Sequence, residues 1–454
     1  MSWYQSYLPI LEKALRETDA WRSKFGHVQK WPDDNSSENE ISDVIDRLQK
    51  RLEGNYPFHH PQYAGQMLKP PHPVAWIAYS LASTINPNNH ALDGGPPTSQ
   101  MEKEVVKRLA KMVGYDTPHL GHLTSGGTIA NLEALFVARE IHPGKKIAAS
   151  SRAHYTHSRM CRILNTPFLE IPVDGQGVPN IDFLDRHKDE IGTVVVTMGT
   201  TGLGTVEPLA DLLNWAQKND VRIHADAAYG GFFNIISHRL ESRRHWEVLD
   251  EADSIVMDPH KHGLQPYGCG SILFKDPAVG KFYSHDSPYT YFTSDDLHLG
   301  EISLECSRAG ASAAALWATL ELLPLTKSGL GAVLEKSLGA AGMMYDELKE
   351  SEYFEVYQQP DLDILGYFPK GEAKNVSEVS RLSKAVFEKG MEQPEDGFHV
   401  SLFRVSAEEF LDRFPKYVAD EDRVTILRSV LMKPEHLEFI PELVQRLHQK
   451  LSEV

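Results

Sequence analysis

Short apolar runs alternate with helical stretches between about residues 120 and 275. The runs that resemble strands cover 146–150, 168–173, 193–198, 221–226 and 253–258. Helical stretches lie between them, for example at 128–141 and 209–219. Strand-like runs separated by helical crossovers are typical of a mostly parallel sheet covered by helices, so the pattern predicts an α/β fold. A further apolar run at 270–274 follows after a short loop and could pair antiparallel to the run at 253–258.

The pattern changes on both sides of this central region. The first part predicts two helices, the second over 40–52, followed by an irregular connection. From about Ser312 onward the pattern predicts a helix, short strands at 353–357 and 399–405, and a terminal helix. We therefore predict an N-terminal helical segment over 1–75, a large central domain over 76–310 and a smaller α+β domain over 311–454.

One helix start is predicted from a local motif. Ser99 and Glu102 have the spacing of a capping box, in which each residue satisfies an amide of the first helical turn. Apolar residues then keep helical spacing until Gly114, which is a typical end of a helix. The motif predicts that the helix begins immediately after Ser99.

Composition and charge exclude several classes of protein. The 454 residues include 46 Lys and Arg against 63 Asp and Glu, a net charge of -17, which argues against binding to a nucleic-acid backbone. The longest apolar stretch, at 311–325, is interrupted by Glu321 and does not reach the roughly 20 residues of a membrane span, and the first residues do not resemble a signal peptide. Three cysteines are too few for a disulfide framework and form no CxxC pair. We expect a cytoplasmic protein without a membrane or nucleic-acid partner and without a metal site.

Ligands of open parallel sheets bind at the carboxyl ends of the strands, and one such end carries a turn of small residues. Ser125, Gly126, Gly127 and Thr128 stand directly before a helix. The turn would present free backbone amides at the positive end of the helix dipole, which suits a phosphate. It matches neither GxGxxG nor GxxxxGK[ST], so dinucleotide and P-loop sites are disfavoured. A capped turn without a ligand is an equally good interpretation.

Two further strand ends carry a charged group. Asp226 closes an apolar strand, and a buried carboxylate needs a cationic partner such as the nitrogen of a heterocycle. Capping of the next helix is the simpler alternative, and a metal pair with His224 lacks further ligands at suitable spacing. Lys261 follows another strand between His260 and His262. Desolvation or cationic neighbours would let such a lysine form an imine with a carbonyl compound.

The fourth strand end carries His154, after the run at 146–150. Its ring could lie against a planar ligand, although a hydrogen-bonded structural histidine is the simpler interpretation. Together, an anion-binding turn, a stacking histidine, a buried aspartate and an imine-forming lysine are what pyridoxal 5'-phosphate requires. The aspartate would keep the pyridine nitrogen protonated, and the lysine would hold the cofactor as an internal aldimine.

The chain resembles the group II pyridoxal-phosphate-dependent amino-acid decarboxylases, which include aromatic amino-acid, glutamate, diaminobutyrate and histidine decarboxylases. The segments that carry the resemblance, in the order and rough spacing of the family, are LTSGGTIANLEAL, SSRAHYT, TMGTTGLGTVEPL, HADAAYGG and DPHKHGLQPYGCG. The resemblance implies the aspartate-aminotransferase-like fold type I, with a mostly parallel seven-stranded sheet and a smaller C-terminal domain. It also implies a homodimer with shared active sites, in which the N-terminal segment wraps the partner.

The resemblance further implies roles at the matching positions. Lys261 would be the Schiff-base lysine with His260 beside it, and Asp226 would pair with the pyridine nitrogen. His154 would stack on one face of the ring and Ala228 would pack on the other. The remaining cofactor contacts that it implies are Gly126, Gly127 and Thr128 at the phosphate and Thr200 near the ring.

The type of reaction is less sharply defined, because the cofactor labilises whichever Cα bond stands perpendicular to its ring. A stacking histidine favours decarboxylation, through a quinonoid, of an L-amino acid to its amine and carbon dioxide. A carbon–carbon lyase or aldehyde synthase on the same site is one alternative, and a catalytically silent homologue is another. In the family a loop tyrosine protonates Cα; Tyr291 is preferred here over Tyr289, and packing at the dimer interface is an equally good interpretation for either.

The substrate is predicted from segments that resemble the family's substrate pocket, at 58–63 and 93–98. Phe58, His60 and Tyr63 suggest room for an aromatic side chain, whereas His59 and His60 could equally contact an acidic one. The net charge of -17 would not help to concentrate an acidic substrate, and an aromatic substrate is favoured over an acidic one. Arg308 could contact a carboxylate, but bracing of the domain junction is the preferred interpretation.

Overall fold

The computed structural model describes residues 5–26, 36–116, 118–175, 177–283, 303–392 and 395–454. Its central sheet has seven strands in the order β1-β7-β6-β5-β4-β2-β3. The strands are β1 (Leu120–Thr124), β2 (Lys146–Ser150), β3 (Phe168–Ile171), β4 (Ile191–Thr197), β5 (Arg222–Asp226), β6 (Ser254–Met257) and β7 (Gly270–Phe274). The predicted α/β fold with a seven-stranded sheet is confirmed.

All neighbouring strands of this sheet are parallel except at β7. Strand β7 runs antiparallel to both β6 and β1, with Ser254 opposite Phe274. The antiparallel pairing expected from the short loop before residue 270 is therefore confirmed. Because β7 is antiparallel to both of its neighbours, β1 and β6 run in the same direction. Their carboxyl ends therefore lie at the same edge of the sheet.

The sheet is buried on both faces, which explains its nearly continuous apolar strands. In β4, Val194 and Val196 pack into one core cluster and Val195 packs into another. The first cluster includes residues of α4 (Pro96–Met112), α8 (Leu209–Asn219) and α10 (Gly310–Leu322), and α5 (Gly127–Ile141) covers the other face. The alternation of strand residues between two helical layers gives a three-layer domain.

The predicted capping box at Ser99 is wrong. Helix α4 already begins at Pro96, so both Ser99 and Glu102 lie inside it and are buried. Glu102 accepts hydrogen bonds from the Leu123 amide at 2.9 Å and from Arg308 Nη1 at 2.6 Å. Its carboxylate is therefore used for a contact with a distant part of the chain rather than for its own helix end.

The N-terminal part contains α1 (Leu8–Arg22), α2 (Glu38–Leu52) and α3 (Pro73–Ser83). A real capping box starts α2, in which Ser37 and Glu40 bond reciprocally. No residue of α1 or α2 is buried, although Ile41, Ile45 and Leu48 of α2 are apolar. These two helices therefore leave apolar side chains uncovered within the described part of one chain.

The C-terminal part has its own sheet, which is antiparallel with the strand order β10-β11-β9-β8. Its strands are β8 (Phe354–Val356), β9 (Ile364–Pro369), β10 (Ser401–Ser406) and β11 (Arg423–Val430). Two of them, β8 and β10, occur where the sequence predicted short strands. Ala64 packs into the core of this part, and α10 packs on α3 and α4. The limits 1–75, 76–310 and 311–454 remain predictions.

Further helices connect and cover these elements. They are α6 (Thr156–Ile163), α7 (Ile181–His187), α9 (Arg243–Trp246), α11 (Leu330–Glu350), α12 (Val376–Met391), α13 (Ala407–Arg413) and α14 (His436–Ser452). Short 3-10 helices occur at Ser23–Phe25, Leu92–Gly94, Lys188–Glu190, Gly231–Arg239, Leu249–Glu251 and Pro277–Phe282. Of the helices in the described ranges, none combines the length and the apolar character needed to cross a bilayer.

Candidate active site

A cavity of about 300 Å³ opens at the carboxyl edge of the central sheet. We call it the first cavity. The four strand ends singled out in the sequence meet there, after β1, β2, β5 and β6. The predicted cofactor contacts that line it are Gly126, Gly127, Thr128, His154, Asp226, Ala228, His260 and Lys261. Thr200 lines the neighbouring cavity instead, and Thr201 lines both.

The backbone of the turn after β1 can be approached closely by a ligand, because glycines leave no side chain in the way. Gly126 has φ +154°, and a Cβ added to Gly127 would lie 2.6 Å from Asp258 Oδ2, so a larger side chain does not fit there. Helix α5 begins at Gly127, and the first amides of a helix have no carbonyl partner within it. The amide of Ser125 donates to Glu305 Oε2 at 2.8 Å. The turn from Gly126 onward therefore offers amides and a positive helix end to an anion.

Asp226 is the last residue of β5 and is 5% exposed. Its Oδ2 lies 2.8 Å from Nε2 of His157, and its Oδ1 accepts from the Ala228 amide at 3.2 Å. Burial by itself raises the pKa of Asp226, but the hydrogen bond from His157 and the electrostatic effects of His157, His224 and Lys261 together hold that pKa below its ordinary value. The carboxylate is therefore ionised and faces the cavity.

His157 is a site residue that sequence reasoning missed. We expected the cationic partner of Asp226 to be a ligand, whereas the chain itself supplies a histidine. His224, two residues before Asp226, lies 2.8 Å from both Ser254 Oγ and Asn131 Oδ1. The signal available in the sequence was the spacing of His154 and His157, which places both near the start of one helix.

Lys261 lies in the loop between β6 and β7. Its Nζ is 3.1 Å from Asp258 Oδ2, and its side chain is 19% exposed. The flanking His260 and His262 are both largely buried, and burial lowers the pKa of each ring. The group beside the lysine is therefore a carboxylate, and the two histidines do not supply the positive charge considered from the sequence.

His154 follows β2 and reaches the first cavity from the start of α6. Its Nδ1 lies 2.7 Å from Thr156 Oγ1, which fixes the plane of the ring. Burial lowers the pKa of His154 and so favours the neutral ring. A neutral imidazole of fixed orientation is suited to lying against a planar ligand.

A second cavity of about 410 Å³ adjoins the first and shares His154 and Thr201 with it. Its apolar and aromatic lining comes from Tyr155, Leu203, Leu402 and Phe403. The charged residues that line it are Arg152, Arg404, Glu409, Arg413 and Arg428. The two cavities together form a cleft between the central sheet and the C-terminal part.

Several of these arginines are engaged with the protein. Arg152 forms an ion pair with Glu409. Arg428 donates to the carbonyl oxygens of Thr201 at 2.7 Å and Gly202 at 2.6 Å. Arg413 donates to Gln358 Oε1 at 3.2 Å. These contacts hold the wall of the second cavity in place.

Other sequence predictions fall outside the two cavities. Tyr289 and Tyr291 lie outside the described residues. Phe58 and Tyr63 contact each other, with ring centroids 4.9 Å apart, and neither belongs to the described lining of the cavities. Arg308 bonds to Glu102 and to the Asn89 carbonyl oxygen, which agrees with bracing rather than ligand binding.

The residues of the first cavity fit pyridoxal 5'-phosphate. The glycine turn suits its phosphate, the ionised Asp226 suits its ring nitrogen, and Lys261 has the amine that its carbonyl carbon requires. Asp258 Oδ1 and Thr197 Oγ1 are buried at the lining and have no hydrogen-bond partner among the described residues. The volume is at the lower end of the range for small-ligand pockets, which is about 300–1,000 Å³. Fold and cavity together define a fold type I pyridoxal-phosphate enzyme.

Comparison with known proteins gives the family. The family described as the pyridoxal-dependent decarboxylase conserved domain matches residues 26–367, and the chain belongs to this family. The protein is a pyridoxal-phosphate-dependent amino-acid decarboxylase, as the resemblance in its motifs implied.

Curated relatives agree with this assignment, and a solved structure agrees with the fold. An L-tyrosine decarboxylase of Enterococcus faecium is 25% identical over an alignment that covers 100% of this chain and 94% of the relative. A probable L-tyrosine/L-aspartate decarboxylase of Methanococcus maripaludis is 28% identical over 63% of this chain and 75% of the relative. The crystal structure of Oryza sativa TDC with PLP and tryptamine superposes with a TM-score of 0.80 at 17% identity, covering 99% and 98% of the two chains.

Proposed function

We propose that the protein removes the α-carboxylate of an aromatic L-amino acid, with L-tyrosine as the first candidate, and releases the amine and carbon dioxide. A proton replaces the carboxylate at Cα, so the reaction needs no oxidant. The observation that carries the proposal is the meeting of the glycine turn, His154, Asp226 and Lys261 at one cavity.

Each of these groups has a part in the proposal. Pyridoxal phosphate, when bound, withdraws electrons from the Cα of the amino acid joined to it. Lys261 would hold the cofactor covalently, and Asp226 would hold a proton on its ring nitrogen. His154 and Ala228 would contact the two faces of the ring. The turn that begins at Gly126, including Gly127 and Thr128, would bind the phosphate.

The second cavity supports an aromatic substrate. It adjoins the first at His154, and Tyr155, Leu203 and Phe403 provide surface for an aromatic ring. Burial of such a ring is favourable by about 25 cal/mol per Å² of apolar surface. The curated relative of Enterococcus faecium that spans this whole chain is named an L-tyrosine decarboxylase.

An acidic amino acid is the second candidate. Arg152, Arg404 and Arg413 line the same cavity, and a second carboxylate on the substrate would be attracted to them. The relative of Methanococcus maripaludis is named for both tyrosine and aspartate. We rank this candidate second because Arg152 already forms an ion pair with Glu409.

A panel of amino acids tests the proposal. Carbon dioxide release is measured from L-tyrosine, L-phenylalanine, L-aspartate, L-glutamate and L-2,4-diaminobutyrate by the protein with added pyridoxal phosphate, with products identified by mass spectrometry. We expect kcat/KM to be highest for L-tyrosine. Release from L-aspartate alone would establish the second candidate, and the absence of release from every member would contradict a decarboxylase function. Formation of an aldehyde in place of the amine would indicate an aldehyde synthase.

We also propose that Tyr291, or Tyr289 in its place, delivers the proton to Cα. The proposal rests on the resemblance alone, since both residues lie outside the described ranges. Replacement of the proton donor by Phe should slow amine release and divert product to aldehyde through reaction with oxygen. The two Phe variants are compared with each other, and the assignment fails for the variant whose amine yield is unchanged.

The homodimer is a further part of the proposal. Ile41, Val44, Ile45 and Leu48 of α2 are 48–54% exposed and lie on one face at helical spacing. Apolar residues in a continuous stripe are typical of an interaction surface. The resemblance to the family indicates that the partner is a second copy of this chain, which would also complete the active site.

A reducing compartment, the cytoplasm, fits the cysteines. Cys161, Cys269 and Cys306 are all unpaired, and the first two are buried. Burial raises the pKa of the Cys161 thiol to about 12, so this thiol is unreactive at neutral pH. Fractionation of cells followed by immunodetection of the protein would test the location.

A further inference from the structure

His157 is a buried histidine to which the motifs of the sequence assign no role. It lies in the first turn of α6 and is fully buried. Its amide donates to the carbonyl oxygen of His154 at 3.1 Å, so the same helix start places both rings. His154 lines the first cavity, whereas His157 lies behind Asp226 and is not part of the described lining.

The contact between His157 and Asp226 fixes the carboxylate. Nε2 of His157 is 2.8 Å from Oδ2, and the Ala228 amide is 3.2 Å from Oδ1. The two donors hold the carboxylate at both oxygens, so its plane cannot rotate without loss of a hydrogen bond. Hydrogen bonds to ionised groups are stronger than those between neutral groups, which makes this orientation costly to change.

The charge on Asp226 depends on the same contact. Burial at the end of β5 raises the pKa of Asp226 and favours the neutral acid, whereas His157 lowers that pKa more than any other side chain does. Glu207, another buried carboxyl group nearby, accepts from the Thr197 amide at 2.7 Å instead of from His157. A neutral acid at Asp226 would not hold a proton on a ring nitrogen, whereas an ionised carboxylate does.

We propose that His157 is a positioning residue, which keeps Asp226 ionised and oriented towards the ring nitrogen of pyridoxal phosphate. This inference rests on the proposed role of Asp226. His157 acts through the carboxylate and does not touch the cofactor. It thereby adds to the affinity for the cofactor, to which the turn at Gly126 and Lys261 also contribute, and it favours protonation of the ring nitrogen.

The test uses two readouts that do not depend on turnover. The dissociation constant of pyridoxal phosphate is measured by absorbance titration of the apoprotein. The protonation of the ring is measured by the 15N chemical shift of bound cofactor labelled at the pyridine nitrogen. The variants are His157→Leu, which removes the donor, and His157→Gln, whose amide can still donate to Oδ2 of Asp226.

A matched control exists elsewhere in the sheet. Nε2 of His122 lies 2.9 Å from Oε2 of Glu133, and both side chains are fully buried outside the described lining of the cavity. His122→Leu therefore removes a buried histidine from a carboxylate without touching Asp226. It reports what general destabilisation does to the two readouts.

We expect His157→Leu to weaken cofactor binding roughly 10- to 100-fold, the range for loss of a hydrogen bond to a charged group. We also expect the 15N signal to move towards that of an unprotonated ring. His157→Gln should restore both readouts in large part, and His122→Leu should leave both unchanged. If His157→Leu does not fold, His157→Asn replaces it, because the shorter amide does not reach Oδ2.

Two results would overturn the inference. One is a folded His157→Leu protein with the affinity and the 15N signal of the original protein. The other is an equal change in His157→Leu and His122→Leu, which would indicate a purely structural effect. The variant Asp226→Asn distinguishes failure of the positioning role of His157 from failure of the proposed function. If Asp226→Asn changes both readouts while His157→Leu changes neither, only the positioning role is wrong; if Asp226→Asn also changes neither, the assignment of Asp226 is wrong.

Discussion

The first cavity and helix α2 differ in which side chains are buried and which are exposed. At the cavity, charged groups are mostly buried and have partners within the chain: Asp226 contacts His157 from a distant segment, and Lys261 contacts Asp258 three residues away. On α2, apolar residues such as Ile45 and Leu48 are about half exposed. A buried charge requires a partner, and an exposed apolar stripe favours one. The residues of the first cavity thus find their partners within one chain, whereas the apolar stripe of α2 stays exposed in the described part of that chain.

The largest expected effect is at the cavity itself. Lys261→Ala removes the amine that would hold the cofactor, so we expect loss of the absorbance band of covalently bound pyridoxal phosphate. Carbon dioxide release should fall by about 10³-fold or more, since the residual rate depends on the remaining binding groups. Lys275→Ala, at an exposed position just after β7, is the control. A Lys261→Ala protein that keeps the band and normal turnover would refute the proposed site.

An intermediate effect is expected on α2, where the change should alter assembly but not the fold. Ile45→Asp places a charge in the apolar stripe, and burial of a single Ile contributes about 1.5–3 kcal/mol to an interface. Sedimentation equilibrium should show the mass of two 51.0 kDa chains for the original protein and a shift towards one chain for the variant. Circular dichroism should be unchanged because no residue of α2 is buried.

Lys50→Asp provides the comparison for this variant, because Lys50 lies on the opposite face of the same helix. We expect it to leave the mass unchanged. Equal dissociation by Ile45→Asp and Lys50→Asp would indicate a general charge effect. A dimer that withstands Ile45→Asp would show that α2 is not part of the interface.

The smallest expected effect concerns the buried Glu207. Burial raises the pKa of Glu207 from its ordinary 4.5 to about 7. Between these values the folded protein keeps a proton that the unfolded chain releases, so this group stabilises the fold below pH 4.5 and that stabilisation is lost as pH rises to 7. Glu207→Gln should therefore flatten the pH dependence of the free energy of unfolding by roughly 1–3 kcal/mol. Urea unfolding at pH 5 and pH 8 measures the change.

Glu372→Gln, at an exposed position, should retain the original pH dependence. The same slope in Glu207→Gln and in the original protein would show that this carboxyl does not titrate in the folded state between these pH values. Such a result would show that burial alone does not shift the pKa of Glu207 as described.

The central fold could be predicted from the sequence because its signals are local. The strand predicted at 146–150 has those bounds in the structure, and the helix predicted at 209–219 does too. Strands buried on both faces are recognisable as short apolar runs. The small residues after β1 are recognisable as a tight turn before a helix. The strand ends also predicted which residues meet at the first cavity, because parallel strands end at one edge.

What could not be predicted depends on partners that are distant in sequence. The spacing of Ser99 and Glu102 matches a capping box, but Glu102 is bound by Arg308, more than 200 residues later. In the sequence, His157 resembles an ordinary helix residue. Only the fold places Asp226, at the end of β5, next to it. A pattern read along the chain cannot distinguish a local partner from one that only the folded sheet supplies.

The reversed strand β7 has a consequence for engineering this protein. Residues 258–269 form the loop that carries Lys261. This loop joins β6 to β7, which are paired with each other, with Met257 opposite Ser271. An inserted residue there would displace the loop that carries Lys261 or change the pairing register of a buried strand, and a register change of one residue exchanges the two faces of that strand. The turn at Pro143 and Gly144, between α5 and β2, is exposed and has no such constraint. A tag or a new chain terminus belongs at that turn, where the chain can be lengthened without moving the lysine.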